Sequence, residues 1–187
     1  MKHRVFIAIN LPQDIKKRIF GYQEKWPELP ARWTKEHNLH ITLLFLGDIS
    51  DEDLGEVCKI TEKVALKHKP FSINLKNISY GPPKKMPPRM VWVKGEISKD
   101  SSSLKDDLED SLIGGGVRFS SENRGFSPHI TLGRIRTWEL RNMELEEIPE
   151  ISEEINLNFE VNSIEVMGSQ LKKGGPEYIV LESAPLG

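Results

Sequence analysis

The sequence contains almost no cysteine, no long apolar run and no excess of charge of one sign. Cys58 is the only cysteine, so no disulfide can form within the chain, and a single thiol agrees with a reducing compartment. Its apolar neighbours recur at helical spacing, which indicates a small core residue and not a nucleophile. No segment approaches the roughly 20 apolar residues that a membrane-spanning helix needs.

The first residues are basic and lead into a short apolar run. Asn10 and Pro12 interrupt this run, so it is too short for the core of a signal peptide and predicts a first strand. We therefore expect a cytoplasmic protein that does not bind membranes.

The charges nearly balance, with 26 basic and 28 acidic residues and a formal net charge of −2. Such a chain has no global electrostatic attraction to nucleic acid, so any RNA contact must come from a local basic patch. A length of 187 residues allows one compact domain or two small lobes that share a core.

Hydrophobic periodicity divides the chain into short strands and three helices. Strands are predicted at residues 4–11, 32–34, 40–46, 71–79, 90–94, 129–135, 155–167 and 178–182, with a short extended piece at 117–119. Helices are predicted at residues 13–26, at 51–68 after a capping Ser50, and through 104–112. This mixture lacks the strict alternation of a parallel doubly wound sheet, so it predicts an α+β fold with mostly antiparallel pairing.

Two segments have a composition that is unsuited to long regular elements. Residues 81–89 contain four prolines and three basic residues, which predicts a proline-rich basic loop. The acidic segment at residues 139–154 predicts a loop with at most one helical turn.

One four-residue pattern, His-Ile-Thr-Leu, occurs twice and begins at His40 and at His129. Five histidines and five threonines in this chain would give roughly 0.13 His-x-Thr pairs by chance. Both copies also lie in strand-like sequence, so chance is a poor explanation of the duplication.

Strand alternation predicts what each copy presents to its surroundings. Residues i and i+2 share one face of a strand, so each histidine lies beside a threonine, Thr42 or Thr131, while the Ile and Leu face the core. If both strands face one cleft, that cleft holds two imidazoles and two hydroxyls.

Two imidazoles and two hydroxyls suit phosphate-ester chemistry without a metal. Because the ordinary pKa of histidine is near 6.5, one neutral and one protonated ring can coexist near neutral pH. The neutral ring can take a proton from water while the protonated ring donates one to the leaving oxygen. The hydroxyls can donate to the non-bridging phosphate oxygens and hold the group for attack.

A zinc site is the other functional interpretation of the two histidines. Catalytic zinc usually has three protein ligands, and no His-x-x-x-His, Cys-x-x-Cys or nearby acidic cluster accompanies either copy. We therefore expect neither a metal nor another cofactor. His3, His37 and His68 lack a matching threonine and are expected at the surface.

The duplicated motif and its flanks resemble the 2H phosphoesterases, and among them the RNA 2′,3′-cyclic phosphodiesterases once called 2′-5′ RNA ligases. The flanking patterns Phe-Leu-Gly at 45–47 and Phe-x-Pro-His at 126–129 carry the resemblance to this branch. Further segments that resemble the family lie at residues 4–12, 32–33, 38–47, 89–93, 126–134, 169–171 and 175–178. The acidic segment at 139–154 has no counterpart in this resemblance.

The resemblance implies a single bilobal domain over residues 1–187, with two pseudo-twofold-related lobes of mostly antiparallel sheet, outer helices and a central active-site cleft. The reaction it implies is hydrolysis of a terminal 2′,3′-cyclic phosphate on RNA, including tRNA fragments, to a 2′-phosphate. Ligation through a 2′-5′ bond would be the reverse type of reaction. We expect a monomer, because the sequence shows no clear self-complementary patch.

The histidines, threonines and one arginine are the expected site residues. We expect His40 to be the general acid and His129 the general base, although the pseudo-symmetry allows the exchanged roles, and Thr42 and Thr131 to bind phosphate oxygens. Arg134 is a further candidate for substrate binding, but strict alternation would put it on the opposite face from His129, so a bend at Gly133 is needed. The alternative is that Arg134 is a solvated charge at the end of the strand and has no role in substrate binding.

Contacts beyond the phosphate would need basic and aromatic side chains. Trp33 or Tyr178 could stack on a base, whereas the position of Phe45 in the alternation predicts a core residue. The candidates for RNA backbone contacts are Arg32, Lys84, Lys85, Arg89, Arg136, Lys172 and Lys173.

Two other functions compete with this one. Related 2H enzymes act on cyclic nucleotides, ADP-ribose cyclic phosphate or 2′-5′ oligoadenylates, so a different phosphoester is possible. The second competing function is that of a non-catalytic module that binds RNA ends, although binding alone would not need a matched acid and base.

Overall fold

The computed structural model describes residues 2–120 and 125–187 and contains one large sheet with four helices in that part of the chain. The strands are β1 (Lys2–Asn10), β2 (Ala31–Trp33), β3 (His40–Ser50), β4 (Phe71–Gly81), β5 (Met90–Gly95), β6 (His129–Ile135), β7 (Ser152–Val161), β8 (Ser163–Lys172) and β9 (Gly175–Pro185). The helices are α1 (Gln13–Gly21), α2 (Asp51–Ala65), α3 (Lys99–Gly114) and α4 (Thr137–Leu140). Short 3₁₀ turns lie at Tyr22–Lys25, Glu36–Asn38 and Leu145–Glu147.

The sheet consists of two four-stranded lobes that meet at the strands carrying the duplicated motif. Its order is β7-β4-β5-β6-β3-β1-β8-β9, and β2 lies beside β6. At the centre, β3 and β6 pair only where Ile41 lies opposite Ile130. The strand pairings described are antiparallel, which confirms the α+β fold with mostly antiparallel pairing.

The two lobes are not consecutive halves of the chain. The first lobe comprises β3, β1, β8 and β9, and the second comprises β6, β5, β4 and β7. Strand β4 follows α2 in the first half of the sequence but pairs with β5 and β7 of the second lobe. In return, β8 comes from the second half and pairs with β1 of the first lobe. Each lobe is therefore completed from the other half of the chain, by β8 and β9 in the first lobe and by β4 in the second.

The predicted strand at residues 155–167 is in fact two strands, so that prediction is wrong. The chain leaves β7 after Val161, passes Asn162 and enters β8, which lies in the other lobe. The buried apolar positions are odd-numbered up to Val161 and resume at Ile164 and Val166. This change of parity is the sequence signal of the break, because a strand has a strict period of two.

The helices cover the core face of the sheet. Ser50 caps α2 by accepting a hydrogen bond from the Asp53 amide at 3.1 Å, as predicted, although the helix ends at Ala65. The predicted leucines of α3 at 104, 108 and 112 are fully buried. Residues 117–119 form no strand, and the Val117 amide instead donates to the Leu112 carbonyl at the end of α3. Cys58 is partly buried on α2.

The proline-rich segment agrees with its prediction, whereas the acidic segment contains more regular structure than predicted. The prolines at 82–88 lie in an irregular connection between β4 and β5. The acidic segment at 139–154 contains the end of α4, one 3₁₀ turn and the first residues of β7, which begins at Ser152, so it holds more regular structure than the predicted loop with at most one helical turn. Within the described residues, no helix is long and apolar enough to cross a membrane.

Candidate active site

The duplicated motifs meet at one cleft between the lobes. His40 and Thr42 on β3, together with His129 and Thr131 on β6, line a cleft with a volume of about 660 Å³. The intervening Ile and Leu of both copies, at 41, 43, 130 and 132, are buried in the core. The structure thus brings together the two imidazoles and two hydroxyls that strand alternation predicts.

Both histidine rings are oriented by the carbonyl two residues earlier in the chain. The Nδ1 atom of His40 lies 2.7 Å from the Asn38 carbonyl oxygen, and Nδ1 of His129 lies 2.8 Å from the Ser127 carbonyl oxygen. A carbonyl can only accept, so Nδ1 carries the hydrogen and the second nitrogen, Nε2, is the proton-exchanging atom of the neutral ring. Nε2 of His40 lies 3.0 Å from the Thr42 hydroxyl.

A β-bulge at the last residue of each motif sets which later side chain faces the cleft. The register against β1 skips Leu43, and the register against β5 skips Leu132. A bulge shifts the alternation by one residue, so Arg134 shares a face with His129 and lines the cleft. The bulge supplies the bend near Gly133 that this orientation of Arg134 requires.

The same shift brings Phe45 into the cleft, and the expectation that Phe45 belongs to the core is wrong. Its side chain is 55% exposed and lines the cleft. Phe45 and Arg134 occupy equivalent positions, three residues after the threonine of their respective motifs. At this equivalent position, the first motif is therefore followed by an aromatic side chain and the second by a cationic one.

The His40 ring lies in an aromatic corner of the cleft. Phe6 lies 4.9 Å from it between ring centroids, and the Tyr178 ring meets it edge-on at 5.1 Å. Burial lowers the pKa of His40 to about 4, against a smaller upward effect of the Asn38 carbonyl. Three nearby groups add to the lowering: Lys16, His129 and Arg134. His40 is therefore neutral near pH 7.

The His129 ring is supported by a tryptophan that sequence reasoning missed. Trp92 on β5 stacks on it with 3.9 Å between ring centroids and 27° between planes. Gly81 makes room for the indole, since a Cβ atom at that position would fall 2.3 Å from the Trp92 ring. Val91 and Val93 are buried, so the alternation of β5 already indicated that Trp92 faces away from the core.

Asn38 is a second residue that the sequence analysis did not assign to the site. Its buried side chain donates from Nδ2 to the Pro176 carbonyl at 2.8 Å and accepts from the Tyr178 amide at 3.3 Å. Because its own carbonyl holds His40, Asn38 ties the orientation of that ring to β9. The available signal in the sequence was its position, two residues before His40.

The cleft wall is cationic. Among the described residues that line it, none is Asp or Glu and five are Arg or Lys, of which Lys105 also pairs with Glu109: Arg32, Lys35, Lys94, Lys105 and Arg134. The chain as a whole has a small negative charge, so this is the local basic patch that an RNA contact requires. An anionic substrate fits such a wall.

Several predicted contacts with the RNA backbone lie elsewhere. Lys84 and Lys85 border a separate apolar groove of about 460 Å³, Arg136 pairs with Glu139, and Lys172 pairs with Glu177. Arg89 and Lys173 are not among the described residues that line the cleft, whereas Arg32 is. Both stacking candidates, Trp33 and Tyr178, also line it.

No three His, Cys, Asp or Glu side chains of residues 2–120 and 125–187 form a cluster that could hold a metal ion. The cleft holds two imidazoles and two hydroxyls on paired strands. This fold and this site define a two-histidine phosphoesterase.

Comparison with known proteins gives the family. The family model described as LigT like phosphoesterase matches residues 9–92 and again residues 93–178, with one His-x-Thr motif in each match. The chain belongs to this family, which confirms the resemblance noted in the sequence.

Curated relatives and solved structures cover almost the whole chain. A Thermotoga maritima protein named RNA 2′,3′-cyclic phosphodiesterase is 29% identical over 95% of this chain and 92% of its own length. An Aeropyrum pernix protein of the same name is 31% identical over 82% of this chain and 85% of its own length. A crystal structure of a Thermus thermophilus protein superposes with a TM-score of 0.84 at 28% identity, covering 98% of this chain and 97% of that one. The crystal structure of E. coli LigT complexed with 3′-AMP superposes with a TM-score of 0.79 at 26% identity, covering 100% of this chain and 99% of that one.

Proposed function

We propose that this protein hydrolyses 2′,3′-cyclic phosphates at RNA ends and leaves a 2′-phosphate. The observation that carries the proposal is the pair of His-x-Thr strands on one face of a cleft with a cationic wall. The names of the Thermotoga and Aeropyrum relatives support the substrate. The nucleotide bound in the related E. coli structure supports a nucleotide-sized cleft, since ligand sites commonly measure about 300–1,000 Å³.

The reaction needs one proton acceptor and one proton donor. Water attacks the phosphorus while the bond from phosphorus to the 3′ oxygen breaks, which leaves a 2′-phosphate and a 3′ hydroxyl. One histidine takes the proton from water, and the other gives a proton to the departing 3′ oxygen. The hydroxyls of Thr42 and Thr131 donate to the non-bridging oxygens, where negative charge builds up. Arg134 contributes positive charge on the same face.

The environment of His40 supports an assignment of roles opposite to the one expected from the sequence. A ring with a pKa of about 4 is neutral near pH 7, and its Nε2 atom can accept a proton. We therefore assign the general base to His40 and the general acid to His129. The sequence-based assignment, with His40 as acid, would need the protonated form of a ring whose burial disfavours charge.

The test is hydrolysis of an RNA oligomer that ends in a 2′,3′-cyclic phosphate, with EDTA present. We expect turnover by the wild type and a loss of about 10³-fold or more in His40→Ala and in His129→Ala, since each removes a proton-transfer group. His3→Ala is the matched control, because His3 pairs with Asp51 outside the cleft. Loss of turnover on adding EDTA to the wild type would contradict metal independence.

The same assay separates the competing functions. Wild-type protein that binds the oligomer without turnover would indicate an RNA-end binding module. Faster turnover of a mononucleotide, of ADP-ribose cyclic phosphate or of a 2′-5′-linked oligonucleotide would indicate another substrate. An added oligomer with a free 5′ hydroxyl tests the 2′-5′ ligation that the same acid and base would allow.

A further inference from the structure

Two arginines lie directly opposite each other on the cleft face of the sheet. Arg32 on β2 and Arg134 on β6 are cross-strand partners in an antiparallel pair, so their side chains share a face. Like charges in such positions destabilise a sheet unless another group compensates them. Both arginines line the cleft, and neither forms an ion pair within the described part of the chain.

The turn between β8 and β9 encloses one side of this arginine pair. Gly175 has a φ of +110°, and a Cβ atom there would fall 2.1 Å from Nη2 of Arg32. Glycine therefore allows the turn backbone to approach the guanidinium closely. Lys35 lies beside the same turn, but Glu177 is within its electrostatic range. The uncompensated charge is thus that of the two arginines.

We infer that Arg32 and Arg134 bind a second phosphate of the substrate, namely the internucleotide phosphate next to the cyclic one. Guanidinium groups bind phosphate oxygens through paired N–H donors, and a phosphate between two opposed arginines removes their mutual repulsion. The inference rests on the proposed function, since the cyclic phosphate must lie at the histidines. It narrows the substrate class to RNA ends of two or more nucleotides.

The spacing along β6 separates this second site from the reacting phosphate. Arg134 lies three residues beyond Thr131, on the order of 10 Å at the usual rise of a strand. A 2′,3′-cyclic phosphate ends the strand, so its nearest neighbour is the phosphate on the 5′ side of the same nucleotide. A free nucleoside cyclic phosphate lacks that group and would leave the arginine pair uncompensated.

Three substrates test the inference directly. They are a nucleoside 2′,3′-cyclic phosphate, a dinucleotide that ends in the same group, and that dinucleotide with an uncharged methylphosphonate linkage. We expect wild-type kcat/KM to favour the charged dinucleotide over the other two by about tenfold or more, as for hydrogen bonds to charged groups. The preference should shrink as salt rises.

Arg32→Gln should remove most of this preference. Lys63→Gln is the matched control, because Lys63 lies on the outer helix α2 and the substitution changes the net charge equally. The control should keep the wild-type preference. An equal loss by Arg32→Gln on all three substrates would overturn the inference, as would a wild type without preference for the charged linkage.

Binding of the products separates this inference from the proposed function. Calorimetry of the dinucleotide and mononucleotide 2′-phosphates needs no turnover, and thermal melting of each variant checks its fold. If no cyclic phosphate is hydrolysed but the charged linkage still improves binding through Arg32, the proposed function fails and the second phosphate site stands. If hydrolysis occurs and neither rate nor binding depends on the linkage, only the second site fails.

Discussion

The two histidines of the cleft share their local geometry but not their surroundings. Each donates from Nδ1 to the carbonyl two residues earlier, so the sequence of each motif and its lead-in suffices to orient the ring. Phe6 and Tyr178 border His40, whereas Trp92 stacks on His129. These neighbours come from strands that are distant in the sequence. Because they differ between the two sites, two identical motifs can have different protonation states.

At the level of single residues, the pH dependence of kcat/KM tests whether activity requires the neutral form of His40. With His40 as base and a pKa of about 4, activity should persist from pH 7 to pH 5 and fall as the pH decreases through 4, because His40 then becomes protonated. A fall of activity that begins well above pH 5 would contradict a base with this pKa, because His40 is still neutral there. Circular dichroism at each pH shows whether the protein remains folded.

The threonine hydroxyls should matter for the rate more than for the fold. Thr42→Val and Thr131→Val should each lower kcat by about ten- to hundredfold, because each removes a donor to the charged phosphate oxygens. Thr61→Val is the matched control. Thr61 is fully buried on α2 and its hydroxyl has no hydrogen-bond partner among the described residues, so its loss should leave kcat unchanged. An equal loss of kcat in the control would contradict this account.

At the scale of single elements, the β-bulges decide the composition of the cleft. Without the bulge at Leu132, Arg134 would point to the core face, and without the bulge at Leu43, Phe45 would be buried. A β-strand pattern specifies faces only while its period of two holds. The sequence therefore predicted the His and Thr positions correctly but mispredicted Phe45.

Gly81 provides a test of how β4 and β5 support His129. Gly81→Ala should displace the Trp92 ring, because the new Cβ would overlap it, and should lower kcat by about tenfold or more through misplacement of His129. Gly55→Ala is the control, since a Cβ at Gly55 meets no described residue within 4 Å and the change favours the helix. Tryptophan fluorescence reports the displacement. Unchanged fluorescence and rate in Gly81→Ala would contradict the supporting role of the stack.

At the scale of the whole molecule, the exchanged strands join the lobes. The first lobe needs β8 and β9 from the second half of the sequence, and the second lobe needs β4 from the first half. Neither half can complete a four-stranded lobe from its own strands. We therefore propose that residues 1–187 fold as one unit, as the sequence analysis expects.

Urea denaturation tests that proposal. We expect one transition that coincides by circular dichroism and tryptophan fluorescence, because two-state unfolding gives the same curve for different probes. Separate transitions for the two signals would indicate independent lobes. Sedimentation of the same sample tests the expected monomer, and the chain cut within the loop at residues 81–89 should not yield folded separate halves.

The sequence by itself determined the motifs, their strands, the buried Ile and Leu between them and the family. These follow from local rules, since alternation along a strand and a carbonyl two residues away need no distant partner. Tertiary structure decided the strand exchange, the low pKa of His40, the Trp92 stack and the pairing of Arg32 with Arg134. Each of these depends on which distant strands lie side by side and on where the register slips. Which strands pair depends on residues that are far apart in the chain, so local patterns in a single sequence do not predict the pairing.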